Sequence, residues 1–178
     1  MTTRMFLQSA MNPPLLIRPS TENDLSAITR IYSHYVLHSS ATFELEPPTR
    51  EEMAQRRTGI LALGLPYLVA EKEETVIGYA YASTYRPRPA YRFTVEDSIY
   101  VDPGHAGKGC GRALLAGLIE DCERGPWRQM IAVIGDSANT ASIRLHRHFQ
   151  FRSAGTLLAV GFKFNQWVDT VLMQRELG

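Results

Sequence analysis

The stretch YRFTVEDSIYV, DPGHAGKGCGR, ALLAGLIEDCE (91–123) constrains this chain more than any other. Its first part is rich in β-branched and aromatic residues and reads as a strand over 91–101. Its last part carries Leu114, Leu115, Leu118, Ile119 and Cys122 at helical spacing, which predicts a helix over about 109–123. Between them lie Gly104, Gly107, Gly109 and Gly111. Glycine lets backbone approach a ligand closely, and the first N–H groups of a helix have no internal acceptor. The helix N-terminus adds about half a positive charge, and Lys108 and Arg112 stand at the same place. Such a turn suits a phosphate. Two familiar phosphate loops do not fit. GxxxxGK[ST] fails because Asp102 stands five positions before Gly107 and Gly109 follows Lys108. GxGxxG fails because Arg112 and Leu114 stand where its last glycine belongs. A GxGxG spacing at 107–111 remains, which a tight turn at a helix start also explains.

The rest of the chain alternates around this unit. LLIR (15–18) reads as a short strand ended by Pro19 and Ser20. Thr21 to Asp24 resembles a capping box, and Leu25, Ile28, Ile31, Tyr32, Tyr35 and Val36 follow at helical spacing. Thr49 with Glu52 opens a second helix that runs to about Leu63 and stops at Gly64. PYLVAE (66–71) and TVIGYAYAST (75–84) flank a polar turn and predict a hairpin. MIAVIG (130–135) is an unbroken apolar run, as for a strand buried on both faces. Residues 138–149 read as a short helix, and AGTLLAVGFKF and WVDTVLMQREL as two closing antiparallel strands. This order predicts an α+β fold with a mixed sheet.

With 178 residues the length suits about one domain. We expect a flexible tail over 1–14 and a single domain over 15–178. Nineteen Lys and Arg against eighteen Asp and Glu leave no basic excess for wrapping nucleic acid. No run of 18 apolar residues is present, so no membrane helix is expected. Cys110 and Cys122 make neither a disulfide framework nor a zinc motif, which predicts no metal and a cytoplasmic protein.

Two longer stretches give the pattern a name. SIYVDPGHAGKGCGRALL resembles motif A of the GCN5-related N-acetyltransferase (GNAT) superfamily, a strand followed by Q/R-x-x-G-x-G/A whose backbone amides bind the pyrophosphate of acetyl-CoA. Gly109 and Gly111 match its glycines, while Ala106 stands where Gln or Arg is usual. AVIGDSANTASIRLHRHFQF resembles motif B. YRFTVEDSIYV, AVIGDSANTASIRLH and GTLLAVGFKFNQWVD narrow the resemblance to the phosphinothricin and methionine-sulfoximine acetyltransferase group, over about Leu15 to Leu177.

The resemblance implies a mostly antiparallel mixed sheet that splays between the motif A and motif B strands, with helices on both faces. Acetyl-CoA is the implied co-substrate. Its pantetheine arm pairs with the backbone of Ile99, Tyr100 and Val101, as an added strand would. Gly107, Lys108, Gly109, Cys110, Gly111 and Arg112 surround the pyrophosphate, and Asn139 and Ser142 meet pantetheine. Acetyl transfer to an amine needs a base, because the amine arrives protonated. Read alone, Glu96 is as readily a surface strand carboxylate. The resemblance maps the proposed base onto it, with Asp97, on the opposite strand face, as second choice. It aligns His146 with the position that protonates the leaving thiolate, although a packed helix histidine is an equal reading. Cys110 has no evident histidine partner, which favours direct transfer in a ternary complex. For an amino-acid-like acceptor, the implied contacts are Phe43, Arg88 and Tyr91, and three arginines within 86–92 suit a carboxylate or phosphinate. Lys163 and Trp167 fall at the pocket edge or at the contact of an implied homodimer. The rival readings are acetylation of a protein N-terminus or a polyamine, and a CoA-binding regulatory module without catalysis.

Overall fold

The computed structural model describes residues 14–178, so the expected tail lies, but for Pro14, outside the described residues. One seven-stranded sheet runs through it in the order β1-β2-β3-β4-β5-β7-β6. The strands are β1 (Leu16–Pro19), β2 (Tyr67–Lys72), β3 (Thr75–Thr84), β4 (Thr94–Val101), β5 (Gln129–Gly135), β6 (Arg152–Lys163) and β7 (Gln166–Glu176). The helices are α1 (Leu25–His38), α2 (Arg50–Ala62), α3 (Cys110–Glu123) and α4 (Thr140–His148). Helix starts follow the sequence signals. Thr49 caps α2 by accepting from the Glu52 N–H, and the Glu52 carboxylate accepts the Thr49 N–H at 2.7 Å. The β2–β3 turn puts Glu73 and Glu74 at positive φ, as a two-residue hairpin demands.

Two cores cover the two faces of the sheet. On one face α3 packs Leu114, Leu115 and Leu118 against Val95, Met130, Ala132 and Met173. On the other, α1 and α2 cover only the β2–β4 side, where Ile28, Ile31 and Met53 meet Val69 and Tyr79. On β4 that cover reaches Tyr100, which packs against Tyr32 and Tyr35 of α1, whereas Ile131, Val133, Leu172 and Gln174 on the same face of β5 and β7 are partly exposed.

β4 and β5 form the parallel pair, and their pairing runs only from Thr94↔Gln129 to Asp97↔Ala132. Beyond it each strand follows its other neighbour. β4 stays with β3 as far as Val101↔Gly78, and β5 stays with β7 as far as Gly135↔Thr170. The sheet twists between them, so the strands part and leave a gap.

Two expectations need correction. β4 begins at Thr94, not at residue 91, because Pro89 to Tyr91 form a short 3-10 turn with proline at its first position. β5 is not buried on both faces: Val133 is 38% exposed, since it stands where β4 has already turned away.

Candidate functional site

The gap continues into a cleft of about 660 Å³ between β4, β5, the loop after β4 and α4. Its walls include Ser98 to Val101, Gly107, Gly109, Gly111 and Arg112, together with Ile134, Asn139 and Ser142. Gly107 and Gly109 take φ of +73 and +88, the left-handed region that favours glycine, and no atom lies within 4 Å of where a Cβ would stand. The loop thus offers bare backbone to the cleft. The N–H groups of Cys110, Gly111 and Arg112 open α3 and have no intrahelical acceptor. Arg112 and Arg144 add positive charge to the same walls. This arrangement fits a long, phosphate-bearing ligand with an extended arm.

Several expected contacts acquire a definite local role. Lys108 Nζ donates to the Gly104 carbonyl at 2.8 Å, so its ammonium braces the loop. Cys110 is buried with its Sγ against Gly78, and burial pushes its thiol up to about 11, which keeps it protonated. Asn139 caps α4 by accepting from the Ser142 N–H at 3.2 Å. Its side-chain amide NH₂ remains available to a ligand.

His146 reaches from α4 to the point where the strands part. Its Nε2 lies 2.9 Å from Asp97 Oδ2 and its Nδ1 lies 2.8 Å from the Ser142 carbonyl. Both partners can accept, so the site is built for a ring that donates from both nitrogens. Burial opposes its charge, but Asp97, by proximity and hydrogen bond, and the Ser142 carbonyl carry its pKa above the ordinary value. Asp97 Oδ1 is buried and without a partner.

Glu96 faces the other way, as strand alternation requires. It sits between Ser83 and Ile131 on the face that also carries Tyr79, Tyr81 and Tyr100. Burial pushes its carboxyl up to about 7, Asp97 adds to the rise, and Arg86 opposes it. The cleft passes through the gap, lined by Asp97, Ile99 and His146 on one face of the sheet and by Ser98 and Tyr100 on the face that carries Glu96.

The three expected acceptor residues do not gather at one point. Tyr91 packs edge-on against Tyr85 at 5.6 Å and lines a second hollow of about 300 Å³ on the Glu96 face. Arg88 is exposed just before that turn. Phe43 lies in a notch made by Gly135 and Gly161: a Cβ at 161 would strike its ring, and one at 135 would strike the Ser40 carbonyl beside it. Lys163 is buried and donates at 2.7 Å to the carbonyls of both Ser39 and Thr42, so it fastens the Phe43 loop to β6. Trp167 is 68% exposed beside Phe162.

Some residues of the site have no plain sequence signal. Tyr35 lines the cleft and donates to the Val101 carbonyl at 2.7 Å, although its spacing reads only as core. The Asp97 partnership spans 49 positions, and the one hint of it is that Asp97 alternates to the His146 side. His148 also lines the cleft. Among the described residues, no cluster of three or more His, Cys, Asp or Glu is placed to hold a metal.

The acetyltransferase (GNAT) family pattern matches residues 28–151. A phosphinothricin N-acetyltransferase of Alcaligenes faecalis is 56% identical over 161 residues, covering 90% of this chain and 82% of that protein. An L-methionine sulfoximine/L-methionine sulfone acetyltransferase of Salmonella typhimurium is 39% identical over 163 residues, covering 92% of this chain and 95% of that protein. Among solved structures, a GNAT phosphinothricin acetyltransferase from Sinorhizobium meliloti in complex with AcCoA superposes with a TM-score of 0.90 at 49% identity. That match covers 94% of this chain and 90% of the other.

Proposed function

The chain belongs to the acetyltransferase (GNAT) family, and from that premise we propose that it moves an acetyl group from acetyl-CoA to the α-amino group of a small amino-acid-like acceptor. Acetyl-CoA supplies an activated thioester. The open amides of 107–112 bind its pyrophosphate, and Lys108 and Arg112 add charge. The backbone of Ile99, Tyr100 and Val101, freed on the β5 side by the splay, hydrogen-bonds the pantetheine arm. Asn139 and Ser142 line the opposite wall.

Glu96 takes the proton from the acceptor's ammonium. The observation that carries this reading is the place of Glu96, a part-buried carboxylate one residue from the parting of β4 and β5, and burial there pushes its carboxyl up to about 7. A base with a pKa near the working pH is half deprotonated and still basic enough to accept. The free amine then attacks the thioester through the gap, in a ternary complex, and the thiolate leaves. Positive His146 stands on the thiolate side, but its two protons are held by Asp97 and Ser142. We assign it to holding α4 on β4 and to making that end of the cleft positive, and take the thiolate's proton from water.

The curated relatives act on phosphinothricin and on methionine sulfoximine or sulfone by their names, and we assign the same acceptor class here. Arg88 pairs with the acceptor's carboxylate, Tyr91 borders its side chain and Phe43 closes the far wall. We also propose a homodimer. Leu158, Phe162, Phe164 and Trp167, exposed by 53 to 74%, form an apolar stripe on β6 and β7 that a second copy would cover. The enzyme works in the cytoplasm, where its co-substrate is made.

The test is acetyl-CoA-dependent CoA release with a panel of free amino acids, sulfoximine, sulfone and phosphinate analogues, polyamines and peptides. Turnover confined to peptides or polyamines would overturn the acceptor assignment. No turnover with any amine would overturn catalysis itself.

A further inference from the structure

The second hollow lies on the same sheet face as Glu96 and begins one pleat below it. Thr94 precedes Glu96 by two residues on that face, and Gln129 pairs with Thr94 as Ile131 pairs with Glu96. Gln174 stands opposite Ile131 on β7. In successive strands about 4.8 Å apart, with side chains of one face repeating about every 6.6 Å, Gln129 is roughly 8 Å from Glu96 backbone to backbone. A side chain of three or four atoms attached to an α-carbon beside Glu96 covers that distance.

The composition of the hollow is unusual for such a place. Tyr85, Tyr91, Ile131 and Leu172 give it apolar sides, and no charged side chain lines it. Its polar floor is an amide pair: Gln174 Nε2 donates to Gln129 Oε1 at 2.8 Å. This bond uses one donor of Gln174 and one acceptor site of Gln129. The Gln129 NH₂ and the Gln174 carbonyl oxygen make no other hydrogen bond among the described residues. Together the two amides leave the two N–H donors of Gln129 and one of Gln174 beside the Gln174 carbonyl acceptor. The core-facing positions of these strands, Met130, Ala132, Val171 and Met173, point to the other side of the sheet, so the two crossing glutamines take no part in that core.

Resting on the acceptor reading above, we infer that the Gln129–Gln174 pair is the specificity element of this enzyme: it reads a tetrahedral oxo group, S=O or P–O, at the end of the acceptor's side chain. The donors bind one oxo oxygen. The Gln174 carbonyl accepts from an S=NH or P–OH where one is present. A thioether offers neither partner and leaves both amides unsatisfied against an apolar ligand. A site built to hydrogen-bond a group discriminates strongly against the analogue that lacks it, because its polar groups are then desolvated without a partner.

The experiment compares methionine sulfone with methionine as acceptors at saturating acetyl-CoA. The parent should favour the sulfone in kcat/KM by tenfold or more. Gln129→Leu and Gln174→Leu should each cut that ratio toward unity. Gln174→Glu keeps the acceptor oxygen and the size, and adds a negative charge. It should depress phosphinothricin, whose end group is anionic, at least tenfold more than the neutral sulfone. Sulfone-to-methionine ratios equal to the parent's in both leucine variants, with an active parent, would overturn the inference and leave the acetyltransferase reading standing. A parent inactive on every free amino acid would overturn that reading and this one with it.

Discussion

His146 Nε2 lies 2.9 Å from Asp97 Oδ2 where β4 and β5 part, with the two side chains 5% and 2% exposed. The pair ties α4 to the sheet at the inner end of the cofactor cleft. Its strength depends on the imidazolium. A histidine whose folded pKa exceeds its unfolded one stabilises the fold fully below about 6.5. That contribution is lost as pH rises through the raised folded value. The melting temperature of the parent should therefore fall as pH is raised from 6 to 9. Asp97→Asn should lower it most at pH 6 and flatten this dependence. Removing one member of a buried pair costs about 3–5 kcal/mol when the other stays charged. Here His146 can shed its proton, so the loss should fall toward the lower end. A parallel downward shift of the whole profile would show that the pair carries no titrating stability.

Gly109 tests the phosphate loop. With acetyl-CoA at a hundred times its Kd, mass action adds about 2.7 kcal/mol to the folded state. For a chain of this size that raises Tm by roughly 5–10 °C. Gly109→Asp puts a carboxylate at the α3 N-terminus and a side chain at φ +88. It should abolish the acetyl-CoA-induced rise. The strain appears separately, as a lower Tm without ligand. A full ligand-induced rise in the variant would remove the loop from the cofactor site.

Much of this geometry is legible in the amino-acid sequence. The strand, glycine loop and helix at 94–123 follow from local rules, since φ preference, capping and apolar spacing act within a few residues. Alternation alone put Glu96 and Asp97 on opposite faces. What the sequence hid is non-local. The exposure of Val133 depends on β4 leaving β5, which is decided by the pull of β3 and β7 on their neighbours. The Asp97–His146 contact joins a strand and a helix that no spacing rule links. Gln129 sits one residue before the apolar run 130–135 and reads as its edge, although the β5–β7 register sets it in the floor of a hollow. The 3-10 turn at Pro89 was written in Arg88-Pro89, but the aromatic and β-branched residues around it favoured a longer strand.

The three arginines before β4 differ in their surroundings, and their variants should separate accordingly. Arg92 stacks on Phe93 at 4.4 Å and donates to the Pro89 carbonyl at 3.3 Å. Arg86 stacks on Tyr85 at 5.1 Å. Arg88 makes no side-chain hydrogen bond among the described residues and is free to fork a carboxylate. A bond to a charged group is worth roughly 1.5–3 kcal/mol. Arg88→Ala should raise the acceptor KM about ten- to a hundredfold and leave acetyl-CoA binding nearly unchanged. Arg86 holds the Glu96 carboxyl down, so Arg86→Ala should move the acid limb of kcat/KM to higher pH. Steady-state kinetics on the three alanine variants decide the matter: equal, small effects would reduce the cluster to a solvated edge.

Glu96→Gln keeps the size and hydrogen-bonding shape of the base and removes its ability to take a proton. The parent's kcat/KM should fall below about pH 7, where Glu96 is protonated. In the variant that limb should vanish, and kcat near pH 7 should drop by about 10²–10⁴-fold. The deficit should shrink toward high pH, where free amine forms without help. Stability moves the opposite way. A carboxyl whose folded pKa is raised binds its proton more tightly in the folded state, so the parent loses stability as pH climbs from its unfolded value of about 4.5 through 7. Glutamine has no charge to bury. Glu96→Gln should therefore match the parent's Tm at pH 4 and exceed it at pH 8. A carboxylate that served only the sheet would give the reverse signature, with a lower Tm and normal turnover in the folded fraction. Measuring kcat and KM across pH 5–9 and Tm across pH 4–9 for both proteins separates the two. A loss of tenfold or less at pH 7, unchanged with pH, would remove Glu96 as the base.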